Sequence, residues 1–210
     1  MPYAQRSRRP VTRHLITLDD LEAANRKVTG EMFRLGMWVE PLDRVGLYLR
    51  ERHTGFYGWH SGIPGNIHIS RLSLRDLCDR NGRQTRLTDI LRHEWSHAIA
   101  ACFPRFVESK RFIRTFGGSY HNPFPVRSYD PAHHVTDYAA DMPAEDFAEV
   151  FNFYLRHKGR LPVRLASKPV IVRKWRFVAA MARCMAAGRR SFKPRRRLIP
   201  PRRSFLKKAS

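Results

Sequence analysis

The sequence predicts an α+β domain carrying basic tails. Three observations lead there. Short strand-like segments occupy residues 44–71, amphipathic helical patterns flank them on both sides, and each end of the chain is basic and free of acids. With 210 residues and 42% hydrophobic content, the chain can bury one full core. The expected organisation is a basic disordered arm over 1–14, one domain over 15–188 and a basic Pro/Arg-rich tail over 189–210.

Charge supports that division. The chain carries 40 Lys+Arg against 18 Asp+Glu, a net +22. Residues 1–14 hold four arginines and residues 189–210 hold ten basic residues, whereas all 18 acids lie between them. The tails are therefore the candidate contact for nucleic acid or another polyanion, through sequence-independent phosphate attraction. Cys78, Cys102 and Cys184 form no CxxC pair, which argues for reduced thiols rather than a disulfide scaffold. No apolar leader and no apolar run of membrane-spanning length is visible, so the expected compartment is cytoplasmic, non-classical export aside.

In chain order, a helix should start at Thr17-Leu18-Asp19-Asp20, with Leu21, Ala24, Val28, Met32 and Leu35 on one face and Gly36 or Pro41 ending it. Val45–Arg50, Gly55–His60 and Asn66–Ser70 read as strands, the last with Ile67 and Ile69 alternating against polar residues. A helix around Leu91–Ala100 has Thr88 and Asp89 as N-cap candidates and Pro104 as its stop. Phe106–Phe116 reads as a basic helix, followed from Gly117-Gly118 to about Thr136 by a long loop rich in Tyr, His and Pro. A helix opens at Pro143 with Asp141 near its cap, and Val170–Ala187 makes the last one, marked by Arg173, Lys174, Arg176 and Arg183. That helix could pack on the core or, through its Arg/Lys face, lie on a membrane.

The chemistry concentrates in His93-Glu94-Trp95-Ser96-His97. On a helix the two histidines stand one turn apart on one face, so both imidazoles can bind one metal ion. Glu94 sits beside the first ligand and can act on a water without binding the metal, the H-E-x-x-H logic of zinc peptidases. One zinc per chain needs a third protein ligand. Ala100 and Phe103 stand where the extended histidine pattern would need Gly and His, which excludes that class. Glu108, His121, His133 and His134 are candidates, but Glu145 is the strongest. Glu145 and Glu149 lie one helical turn apart, where two carboxylates would repel on an ordinary surface. Facing a dication, Glu145 can ligate while Glu149 accepts the free N–H of a ligand histidine.

His93-Glu94-x-x-His97 followed by Val135-Thr136-x-Tyr138-Ala139 and Glu145-Asp146-Phe147-Ala148-Glu149 resembles the gluzincin catalytic domain of anthrax lethal factor, the Pro-Pro endopeptidases and related bacterial zinc metallopeptidases. The resemblance covers about residues 40–157 and leaves the tails without a counterpart. It implies a zincin-like fold with a small, mostly antiparallel sheet, an active-site helix and a C-terminal helical part. It also implies a zinc metalloendopeptidase acting on a peptide or protein substrate. His93, His97 and Glu145 would hold the metal, Glu94 would be the general base, Tyr138 would stabilise the oxyanion, and Glu149 would support a ligand. Asn66–Ser70 would form the sheet edge on which an extended substrate pairs. The alternative reading is a basic nucleic-acid-associated protein with a structural or vestigial zinc site; an intact Glu94 and Tyr138 argue against it.

Overall fold

The computed structural model describes residues 15–51, 57–75, 77, 84–121 and 128–192. The expected arm over 1–14, Cys78 and the tail beyond 192 lie outside the described residues. The architecture is α+β, with seven α-helices and a small three-stranded mixed sheet among those residues.

Helix α1 (Leu18–Arg34) starts where the sequence signals it. The Thr17 hydroxyl accepts the Asp20 N–H at 3.1 Å, and Asp20 accepts the Thr17 N–H at 3.0 Å, so two otherwise orphaned donors are satisfied. Its stripe of Leu21, Ala24, Val28 and Met32 is buried against the core. Gly36, at φ 68°, then turns the chain where a Cβ would come within 2.6 Å of the Ala186 side chain. Only glycine suits both the left-handed backbone and the close approach.

Strands β1 (Gly46–Arg50), β2 (Gly58–Ser61) and β3 (Asn66–Ser70) form the sheet in the order β1-β3-β2. β1 runs parallel to β3, with Leu47 opposite Ile67, and β2 runs antiparallel to it, with His60 opposite Ile67. This corrects two expectations. The sheet is mixed rather than mostly antiparallel, and Asn66–Ser70 is its centre rather than an edge. The physical reason is that β3 pairs along both sides, with β1 and with β2, which side-chain alternation does not register, and both of its faces are covered as well. Ile67 and Ile69 are buried in the core, while His68 is stacked between Tyr48 and Trp59, with ring centroids 5.4 and 4.9 Å away. Alternation in sequence marks one apolar face, but says nothing of rings that roof the polar one. The edge strand nearest the helices is β2.

Helix α2 (Leu87–Cys102) carries the metal motif. Thr88 and Asp89 do not cap it, because the helix begins at Leu87 and Arg86 holds the cap position without a side-chain bond. Asp89 instead accepts from Arg92 at 2.7 Å. The next expected helix is two, α3 (Pro104–Val107) and α4 (Lys110–Phe116). Ser109 separates them, its hydroxyl donating to Phe106 O at 2.7 Å and accepting Phe112 N–H at 3.1 Å.

Helix α5 (Pro143–Arg156) opens on proline as expected, with Met142 at its cap position and Asp141 beside it. A short α6 (Val163–Ala166) leads to α7 (Pro169–Ala186). Phe112, Phe116, Phe147 and Phe177 join α4, α5 and α7 in one edge-to-face aromatic cluster. α7 buries Ile171, Val178, Met181 and Met185 in the body, so its apolar face is not presented outward. Lys174 is not part of its surface charge either. It is 3% exposed, pairs with Asp146 at 2.5 Å and donates to His133 O at 2.6 Å. Among the described residues no helix is long and apolar enough to cross a membrane.

A second buried ion cluster ties α1 to the metal helix. Arg92 donates to both oxygens of Glu31, at 2.7 and 2.9 Å, as well as to Asp89. Removing one partner leaves a buried charge under-compensated. Glu31→Ala should therefore lower unfolding free energy by about 3 kcal/mol, read from urea denaturation. An exposed-pair variant such as Glu22→Ala should lose no more than about 1 kcal/mol.

Candidate metal centre

Two helices supply the centre. α2 places His93 and His97 one turn apart on its inner face, and the N-terminal turn of α5 brings Glu145 against them. His93 Nε2 and His97 Nε2 are 3.1 Å apart. Glu145 Oε2 lies 3.0 Å from the first and 3.8 Å from the second. A tetrahedral ion with bonds of ~2.0–2.1 Å sets its ligand atoms ~3.3–3.4 Å from one another. The three atoms bracket that spacing.

The bonding supports a shared cation. His93 Nδ1 lies 2.8 Å from Glu149 Oε1. A carboxylate only accepts, so the proton sits on Nδ1 and Nε2 is turned towards the cluster. His97 Nδ1 lies 2.7 Å from the Tyr120 hydroxyl, which can accept its N–H in the same way. Two ring nitrogens 3.1 Å apart need positive charge between them, which either a proton or a metal ion can supply. Glu145 Oε2 is buried and makes no hydrogen bond of good geometry, although it stands close to both rings. Donors that aim at one point instead of at each other fit a metal ion.

The electrostatics agree. Burial disfavours a charged His93, but its contacts with Glu145 and Glu149 outweigh burial and hold its pKa well above 6.5. Burial likewise opposes an ionised Glu145, yet the two histidines hold its carboxyl far below the usual range. Burial and then the neighbouring Glu145 raise the Tyr138 hydroxyl, which therefore keeps its proton. The pocket draws positive charge, and a dication answers the same field.

The remaining residues fall around this cluster. Glu94 is 5% exposed and its Oε2 has no hydrogen-bond partner among the described residues. Burial raises its pKa, and the histidines partly oppose that. Its side chain lies under β2, where a Cβ on Gly58 would come within 3.1 Å of Glu94 Cγ and Oε1. Tyr138, in a 3-10 turn over Tyr138–Ala140, has its ring 5.5 Å from His93 and its hydroxyl on Glu145. The other candidate ligands stand apart. Glu108 follows α3 on the surface, His121 is exposed beside Tyr120, and His133 pairs with Asp130 at 3.2 Å. His134 is buried near Tyr129, outside the cluster.

Two contributors escape the sequence reading. Tyr120 orients His97, and the Thr136 hydroxyl donates to Glu149 Oε2 at 2.9 Å while accepting the Ala139 N–H at 3.2 Å. Thr136 lies inside the quoted motif without an assigned task; Tyr120 has no motif signal beyond its place in an aromatic loop.

Such outer partners fix the tautomer and direction of a ligand ring. Tyr120→Phe and Thr136→Val should each weaken zinc binding by about 10-fold and Glu149→Ala by up to about 100-fold, measured by competition with a chelator. Unchanged affinity in all three would remove these residues from the centre.

Comparison with protein-family models, curated proteins and solved structures returns no match for this chain, so the functional reading rests on the chemistry of the centre itself.

Proposed function

We propose that this chain is a zinc-dependent endopeptidase of the gluzincin type. The observation that carries the reading is the meeting of His93, His97 and Glu145 beside a further buried carboxylate, Glu94, whose Oε2 has no hydrogen-bond partner among the described residues. A structural zinc is closed by four protein ligands, whereas here three donors converge and Glu94 stands outside them.

Two histidines and one carboxylate are the donor set that suits zinc while leaving one position open. Zinc held there supplies Lewis acidity, lowering the pKa of a water towards ~7 and polarising a peptide carbonyl. Glu94 takes the water's proton at its partnerless Oε2 and returns it to the leaving amine. Tyr138 donates a hydrogen bond to the oxyanion that develops on the scissile carbonyl. Glu149 and Tyr120 hold the two imidazoles by their Nδ1 atoms.

The substrate edge belongs to β2 rather than β3, which pairs on both sides. β2 lies beside α2, and its Gly58 backbone passes directly over Glu94. An extended peptide pairing with the open side of β2 would therefore cross the general base. Recognition of this kind reads backbone, so peptide or protein substrates are the expected class.

Purified protein should hold about one zinc per chain by elemental analysis. Glu145→Ala should lose most of it, whereas Glu94→Gln should keep the metal and lose cleavage of a peptide library. Full zinc retention in Glu145→Ala, or no cleavage of any peptide by the wild type, would overturn the reading.

The position of Glu94 depends on the missing Cβ at residue 58. Gly58→Ala would meet Ile69 Cδ1 at 2.9 Å and the Glu94 side chain at 3.1 Å. Displacing a general base by a fraction of an ångström can cost up to about 10²-fold, so kcat should fall by that order while zinc content stays constant.

A further inference from the structure

The body has a second feature that peptide hydrolysis does not use. Helices α4 and α7 lie against each other and contain no acidic residue. Lys110, Arg111 and Arg114 of α4 are exposed, as are Arg173, Arg176 and Arg183 of α7. At about 100° per residue, the three α7 arginines share an arc of about 80°. None of the six has a carboxylate within ion-pair distance among the described residues, whereas Arg26, Arg44, Arg92 and Arg156 each do.

The end of the described chain packs on this same face. After α7, Phe192 packs edge-on against Phe106 and Phe177, with centroids 4.9 and 5.1 Å away. Arg111 lies over the Phe192 ring at 4.4 Å. In sequence, residues 193–210 follow with eight basic residues and no acid.

We propose that the α4/α7 face binds the phosphodiester backbone of nucleic acid. Five of the six exposed cations are arginine, whose planar fork pairs with phosphate oxygens in a bidentate fashion. An anionic lipid surface would call for an apolar stripe facing outward beside the charge. Here Ile113 is the one large exposed hydrophobic residue on the two helices, and the apolar residues of α7 lie in the core. An acidic protein partner would call for aromatic or aliphatic anchors at its centre, which this face lacks. Phosphate contacts carry no base information, so binding is independent of sequence.

The test uses the full chain and a labelled 20-base-pair DNA duplex, with affinity followed by fluorescence anisotropy across a salt titration. Lys110→Gln, Arg114→Gln, Arg173→Gln and Arg176→Gln combined should weaken binding at least tenfold at 0.1 M salt. The slope of log affinity against log salt should become shallower by about 3 to 4, since each lost phosphate contact removes ~0.9. A control with Lys27, Arg34, Arg71 and Arg160 changed to Gln removes the same charge elsewhere and should stay within about threefold. The pair Arg114→Gln with Arg176→Gln, giving about half the change in slope, guards against a folding defect in the fourfold variant. Truncation after Phe192 should weaken binding but leave a salt-dependent remainder. Equal losses in the face and control sets would show diffuse charge and overturn the proposal. So would loss of all binding on truncation, or binding to phosphatidylserine-containing vesicles and not to the duplex. None of these readouts depends on peptide hydrolysis.

Discussion

The crowding of charge around His93 is the constraint on which the rest of the structure depends. Two imidazole nitrogens stand 3.1 Å apart with the carboxylates of Glu94, Glu145 and Glu149 around them, mostly out of water. Like charges brought together in a medium of low polarity repel strongly unless opposite charge is placed among them. The surrounding helices must hold these groups against that repulsion, and the positive charge must be supplied from within the cluster.

The scaffold meets this demand with two ion clusters that flank the centre without entering it. Arg92 is the residue before His93 and binds Glu31 and Asp89, so α1 grips α2 next to its first ligand. Asp146 is the residue after Glu145 and binds Lys174, so α7 grips α5 next to its ligand. Lys174 also holds His133 O, and Lys168 holds Pro131 O at 2.7 Å, pinning the segment that presents Thr136 and Tyr138. Each helix that carries a candidate ligand is thus anchored one residue away from it. A shift of either helix would disturb a buried ion pair before it disturbed the centre.

How far this arrangement can be read from the sequence depends on whether a contact leaves a period in the chain. His93, Glu94 and His97 are legible because one helical turn puts them together, and Glu145 with Glu149 for the same reason. Thr17 and Asp20 are legible because capping is local. Tyr120 is not, because its bond to His97 spans 23 residues with α3 and α4 between them. The place of β3 fails for a different reason. A strand with one solvated face and one roofed by Tyr48 and Trp59 gives the same alternation, so burial of His68 has no signature. Lys174 shows the same limit, since a lysine spaced with surface arginines carries no mark of the Asp146 that waits inside.

The placement of acids also explains the character of the surface. Of 18 acidic residues, Glu31, Asp89, Glu94 and Asp146 are buried, and Glu145 and Glu149 expose only 15% and 12% of their side chains. Six carboxylates are therefore engaged inside, where they balance Arg92, Lys174 and the His93/His97 pair. The exterior is left more basic than the net charge alone suggests, and α4 and α7, without any acid, show this most. Interior chemistry and exterior charge are thus one distribution seen from two sides. A chain poor in acids that gathers a third of them into its core necessarily presents an under-neutralised surface to its partners.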